Sequence, residues 1–85
     1  MSLDASEALR FAQDAEKEMQ NGPDFEKRIG YYLVISKING AWAIIDVSPT
    51  KSGADFNGEY YCGKGNFVLH ELKRPKVSHK LEYIV

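Results

Sequence analysis

Residues 28–47 read RIGYYLVISKINGAWAIIDV. Two apolar runs rich in β-branched and aromatic residues, Ile29–Ile38 and Ala41–Val47, flank the dipeptide Asn39-Gly40. Asn-Gly best tolerates the two left-handed residues of a type I′ turn, whose twist matches that of a tight hairpin. The stretch therefore predicts an antiparallel hairpin, and its two-residue loop sets the register. Ile38 lies opposite Ala41, Lys37 opposite Trp42, Ser36 opposite Ala43 and Ile35 opposite Ile44. Continuing without a break, Val34 meets Ile45, Leu33 meets Asp46 and Tyr32 meets Val47.

That register predicts two different faces. One carries Ser36, Ala41 and Ala43 among Val34, Ile38, Ile45 and Val47, and its small residues suit the close approach of a helix. The other carries Tyr31, Leu33, Ile35, Lys37, Trp42 and Ile44. A strand with one face in water should alternate apolar with polar residues. These strands alternate only weakly, so the second face needs a cover. Tyr31, Leu33, Ile35, Lys37, Trp42 and Ile44 are therefore the candidate interaction surface. Lys37 opposite Trp42 also sets a cation above an indole.

Upstream, Asp4–Gln20 predicts a helix. Asp4 is its N-cap, and Glu7 three residues later completes a variant capping box. Ala5, Ala8, Leu9, Ala12, Ala15 and Met19 recur at helical spacing on one side, with Phe11 at its edge. Asn21-Gly22-Pro23 stops the helix. Phe25 anchors the link to the hairpin.

Downstream, Ser48–Asn57 (SPTKSGADFN) reads as a loop, punctuated by Pro49 and Gly53. Glu59–Cys62 is a short third strand, Gly63-Lys64-Gly65 a turn, and Phe67–Lys73 a fourth strand. Val77–Val85 alternates cleanly and is a fifth. The expected fold class is α+β: one domain over 1–85, with an N-terminal helix on a curved antiparallel sheet of four to five strands in meander order. The layout is like that of cystatin-type domains in topology alone. No cystatin inhibitory loop is present, and no activity is carried over.

Composition narrows the function classes. The 85 residues are 44% hydrophobic with 12% aromatic, enough for one core and unlike a disordered chain. Net charge is −1. Residues 1–27 hold seven acids and three bases, and residues 58–85 three acids and five bases. This is a weak footprint for nucleic acid. A single cysteine suits a reducing compartment. With no long apolar run and no basic-then-apolar leader, the expectation is a cytoplasmic chain without membrane contact.

The chemical motifs are thin. Gly58 to Gly65 matches the first part of a phosphate loop, but Gly65 stands where Ser or Thr would reach magnesium, and no helix is predicted to follow. Cys62 with His70 or His79 has the residue types of a nucleophile and base, without a signature that brings them together. His70-Glu71 lacks the second histidine of a zinc helix. No cofactor and no metal are expected.

The sequence favours a non-catalytic protein-binding or self-assembly module using the second face of the hairpin, with a homodimer as the simplest cover. The alternatives are a small-ligand carrier with Tyr31, Trp42 and Tyr61 lining one cavity, and a nucleic-acid-binding sheet using Tyr60, Tyr61, Lys64, Phe67, Lys73, Arg74 and Lys76.

Overall fold

The computed structural model describes residues 4–74. Helix α1 (Ala5–Gln20) leads through a 3₁₀ turn (Phe25–Arg28) into strands β1 (Tyr32–Ile38) and β2 (Ala41–Ser48), then helix α2 (Lys51–Cys62) and strand β3 (Val68–Glu71). The class is α+β, with an N-terminal helix and an antiparallel sheet ordered β2-β1-β3. The described residues form three strands, and β1 at the centre of the sheet corrects the expected meander order. The expected strand at 77–85 lies outside the described residues.

The hairpin forms around Asn39 (φ 53°) and Gly40 (φ 84°), both left-handed as a type I′ turn demands. From Ile38↔Ala41 to Ile35↔Ile44 the register is the one the turn dictates. Then it slips. Val34 pairs with Asp46, Leu33 with Val47 and Tyr32 with Ser48, leaving Ile45 as the extra residue of a β-bulge. An unbroken ladder would set Asp46 opposite Leu33, on the apolar face. The bulge moves Asp46 to the other side, where its Oδ2 accepts hydrogen bonds from Asn57 Nδ2 (2.6 Å) and Ser48 Oγ (3.0 Å). It also brings Val47 against the core beneath α1.

The helix α1 sits on the face opposite the one marked by Ser36, Ala41 and Ala43, the seat that the sequence predicts for it. Buried Ala8 and Ala12 pack with Leu33, Ile35, Leu72 and Phe25, all buried. Volume explains the choice. An alanine stripe lets the helix backbone approach, and the long side chains of the sheet fill the space so created. Leu9, placed on the apolar stripe by spacing, remains half exposed. Asp4 Oδ1 accepts from Ser6 N (2.8 Å) and Glu7 N (3.2 Å), so the N-cap forms. The capping box does not, because the Glu7 side chain is turned towards β1 and β2.

The second layer is α2, where the sequence predicts a loop followed by the strand Glu59–Cys62. Thr50 caps it, its Oγ1 accepting from Gly53 N at 3.0 Å. Buried Ala54 and Gly58, one turn apart, face inward. A Cβ on Gly58 would overlap the Phe67 ring. The missing side chain of Gly58 is thus what lets the helix pass under an aromatic side chain. Polar groups seal the contact. Asn57 Nδ2 also reaches Ser48 Oγ (3.1 Å), and Ser36 Oγ donates to Asn66 O (2.6 Å). Gly63 (φ 92°) ends α2, and Gly63-Lys64-Gly65 links helix to strand, not strand to strand.

Beyond β3, Leu72 N donates to Tyr31 O (2.8 Å) and Gly30 N to Leu72 O (2.7 Å). This extension of the ladder carries Leu72 into the core.

Candidate interaction surface

Covering the second face of the hairpin with α1 redistributes the six residues assigned to it. Leu33 and Ile35 are fully buried and are core, not surface. Tyr31 is half-buried and packs against the same cluster. Ile44, 44% exposed, lies beyond the helix. Lys37 and Trp42 stand at its edge, where they form a closed group with Glu7. Glu7 Oε1 accepts from Lys37 Nζ (3.0 Å) and Trp42 Nε1 (3.2 Å). The Lys37 ammonium lies 5.8 Å from the Trp42 ring centroid, and Phe11 stacks on that ring at 6.3 Å. The hydrogen bonds from Lys37 and then Trp42, aided by the Lys37 charge, hold the Glu7 carboxyl below the usual carboxylate range. The cation–π pair read from the register is present within the hairpin, and Glu7 and Phe11 fasten α1 to it.

The largest exposed apolar side chains instead lie on α2. Phe56, Tyr60 and Tyr61 are 69%, 74% and 63% exposed. Phe56 and Tyr60, one turn apart, stack with centroids 6.5 Å apart and planes within 11°. Tyr60 meets Tyr61 edge to face at 5.0 Å. Exposed Asp55 and Glu59 repeat the same one-turn spacing on the outer side. Among the described residues neither carboxylate makes an ion pair.

An open groove runs beside this face, lined by Ser36, Ile38, Ile45, Tyr61, Cys62 and Asn66. Cys62 is therefore on the α2 side of the sheet. His70 is on the α1 side, its Nε2 donating to Glu16 Oε1 at 2.8 Å, while Glu16 Oε2 accepts from Lys73 N at 2.7 Å. The structure does not bring Cys62 and His70 together, and His79 lies outside the described residues. The three aromatics named for a ligand cavity are also separated. Tyr61 lines the groove beside α2, whereas Trp42 lines a shallow hollow with Glu7, Arg10, Phe11 and Asp14 on α1. The basic-aromatic set is split as well: Tyr60 and Tyr61 are helical, Phe67 packs over Gly58, and Arg74 pairs with Glu26 at 3.3 Å. Lys76 lies outside the described residues.

Sequence reasoning missed the α2 surface because it missed the helix. Three signals were present: Thr50 as a cap, the small pair Ala54 and Gly58 one turn apart, and the aromatic pair Phe56 and Tyr60 in step with them.

Among the described residues, no three His, Cys, Asp or Glu side chains are grouped to hold a metal ion, and no helix is long and apolar enough to cross a membrane. Comparison with protein-family models, curated proteins and solved structures finds no match to this chain.

Proposed function

We propose that this chain is a non-catalytic protein-binding module whose docking surface is the outward face of α2. The observation that carries the reading is the exposure of Phe56 and Tyr60 on the outer side of a helix whose other side is seated on the sheet, with exposed Tyr61 against Tyr60 at the edge of the groove. Aromatic side chains carry about 150–250 Å² each, so the three leave roughly 400 Å² of mostly apolar surface outside. Patches of that size are the largest an ordinary monomer shows, and they are often functional. Aromatics also dominate interface hot spots, because they offer much area for little conformational entropy. Ile38, half exposed across the groove from Tyr61, extends the patch towards the hairpin.

Selection from a displayed random-peptide library tests the reading. The folded chain should enrich peptides that lose binding to a Phe56→Ser/Tyr60→Ser variant. Both side chains are exposed, so the variant should keep the far-ultraviolet circular dichroism of the parent. A library that yields no binders, or binders that the variant retains, counts against the proposal.

A further inference from the structure

We propose that the segment docking on α2 is basic, presenting arginine or lysine side chains around an apolar anchor; this rests on the reading of α2 as the docking face. The charges of α2 are placed against the helix's own preference. A helix favours acids in its first turn and bases in its last. In α2 the first residue is Lys51 and the first turn has no acid, while Glu59 lies in a last turn that has no base. Asp55 and Glu59 also repel each other one turn apart. Neither makes an ion pair among the described residues, and both are exposed beside exposed aromatic rings. Such an arrangement leaves a carboxylate pair and two π faces available to one incoming cation.

The protein already holds a cation this way at another place. The Lys37 ammonium lies 3.0 Å from a Glu7 carboxylate oxygen and 5.8 Å from the Trp42 ring centroid. On α2 the carboxylates of Asp55 and Glu59 and the rings of Phe56 and Tyr60 offer the same two components, with no cation of the described chain between them. A guanidinium suits the position because it can lie flat on a ring while its edge pairs with a carboxylate.

Charge also sets the other occupants aside. Antiparallel pairing of α2 with a second copy through Phe56 and Tyr60 would bring the Asp55 and Glu59 carboxylates of each chain into the same contact, with Lys51 at its margin. Nucleic-acid phosphates meet the same two negative groups. A basic protein segment is the partner whose charge complements this face.

The library selection, repeated with an Asp55→Asn/Glu59→Gln variant, tests the inference. Peptides selected on the parent chain should be enriched in arginine or lysine. Their affinity should fall about tenfold for the charge variant, and should weaken with added salt for the parent more than for the variant. Peptides selected on the charge variant should show no such enrichment. Neutral or acidic peptides that still require Phe56 and Tyr60 would overturn the basic partner while sparing the docking face. Binding indifferent to Phe56→Ser/Tyr60→Ser would overturn both. Sedimentation equilibrium at roughly tens of micromolar supplies the remaining arm. A monomer is expected, and a dimer abolished by Phe56→Ser/Tyr60→Ser would assign the face to a second copy and refute the inference.

Discussion

The two helices of this protein are built to opposite rules. Helix α1 begins with an acidic cap and an acid in its first turn, and presses a stripe of alanines into the core. Helix α2 carries two glycines, a base at its start, a carboxylate near its end and three aromatics in solvent. In α1 local preference and tertiary packing agree, as they do where a sequence is shaped for stability. In α2 they conflict, and conflicts of this kind concentrate at functional surfaces. The comparison teaches where to look: the helix that obeys the rules holds the fold, and the helix that breaks them carries the proposed contact.

The sharpest way to break that comparison is to truncate one side chain from each layer. Leu33→Ala removes a fully buried side chain beneath α1. It should cost about 2–5 kcal/mol, a large part of the stability of so small a protein. Phe56→Ser or Tyr60→Ser on the outer face of α2 should change stability by no more than about 0.5 kcal/mol. Urea denaturation followed by Trp42 fluorescence measures all three. If Phe56→Ser costs as much as Leu33→Ala, α2 is held by its aromatics and the division of labour is lost.

Next in size is Gly58→Ala. In an ordinary helix this change stabilises by up to about 1 kcal/mol. Here the new methyl group meets the Phe67 ring, and overpacking of that kind costs about 1–3 kcal/mol. The expected sign is therefore destabilising. Pairing it with Phe67→Ala should restore the ordinary helical gain at residue 58, so a double-mutant cycle with no coupling would refute the close packing of α2 on Phe67.

That glycine also marks the boundary of what the sequence made legible. The hairpin, its left-handed turn and four pairs of its register follow from Asn39-Gly40 and local pattern, because neighbouring residues decide them. The Asp4 cap is local in the same sense. The bulge at Ile45 is not, because it depends on Asp46 finding Asn57, eleven residues away in a stretch whose local pattern reads as a loop. Helix α2 was hidden for the same reason. Gly53, Asn57 and Gly58 weaken a helix in isolation, and the Thr50 hydroxyl, the Asp46 carboxylate and the Phe67 ring explain them only in the folded state. Of the six residues assigned to a surface, the register placed Lys37 beside Trp42 correctly. It could not say that α1 would choose the face carrying Leu33 and Ile35, since that choice rests on fitting alanines against large side chains across the layer.

A smaller effect, of opposite sign, sharpens the contrast. Glu59→Lys brings a base to the last turn of α2 and relieves the repulsion with Asp55. It should stabilise the protein by about 0.3–1 kcal/mol. The same substitution should abolish binding of the selected basic peptides. Stability gained and affinity lost in one variant is the signature of a charge retained for contact rather than for folding. A Glu59→Lys variant that is less stable than the parent would mean that Glu59 has a structural partner.

The smallest effect belongs to α1 and is read by pH. Glu7 has its carboxyl held below the usual carboxylate range by Lys37 and Trp42. A group whose folded pKa is depressed contributes stability above its unfolded pKa and loses it as pH falls through the folded value. Acidification from neutral should therefore leave the contact intact through the ordinary carboxylate range and loosen it only below. Because Glu7 is exposed, the loss should be modest and screened by salt. The Trp42 indole donates to the titrating oxygen and stacks on Phe11, so its emission should report the event directly. Glu7→Gln keeps an acceptor for Trp42 but removes the charge facing Lys37, and it should remove this acid transition from the emission profile. Persistence of the transition in Glu7→Gln would assign it to another carboxylate and would separate Trp42 from the fastening of α1.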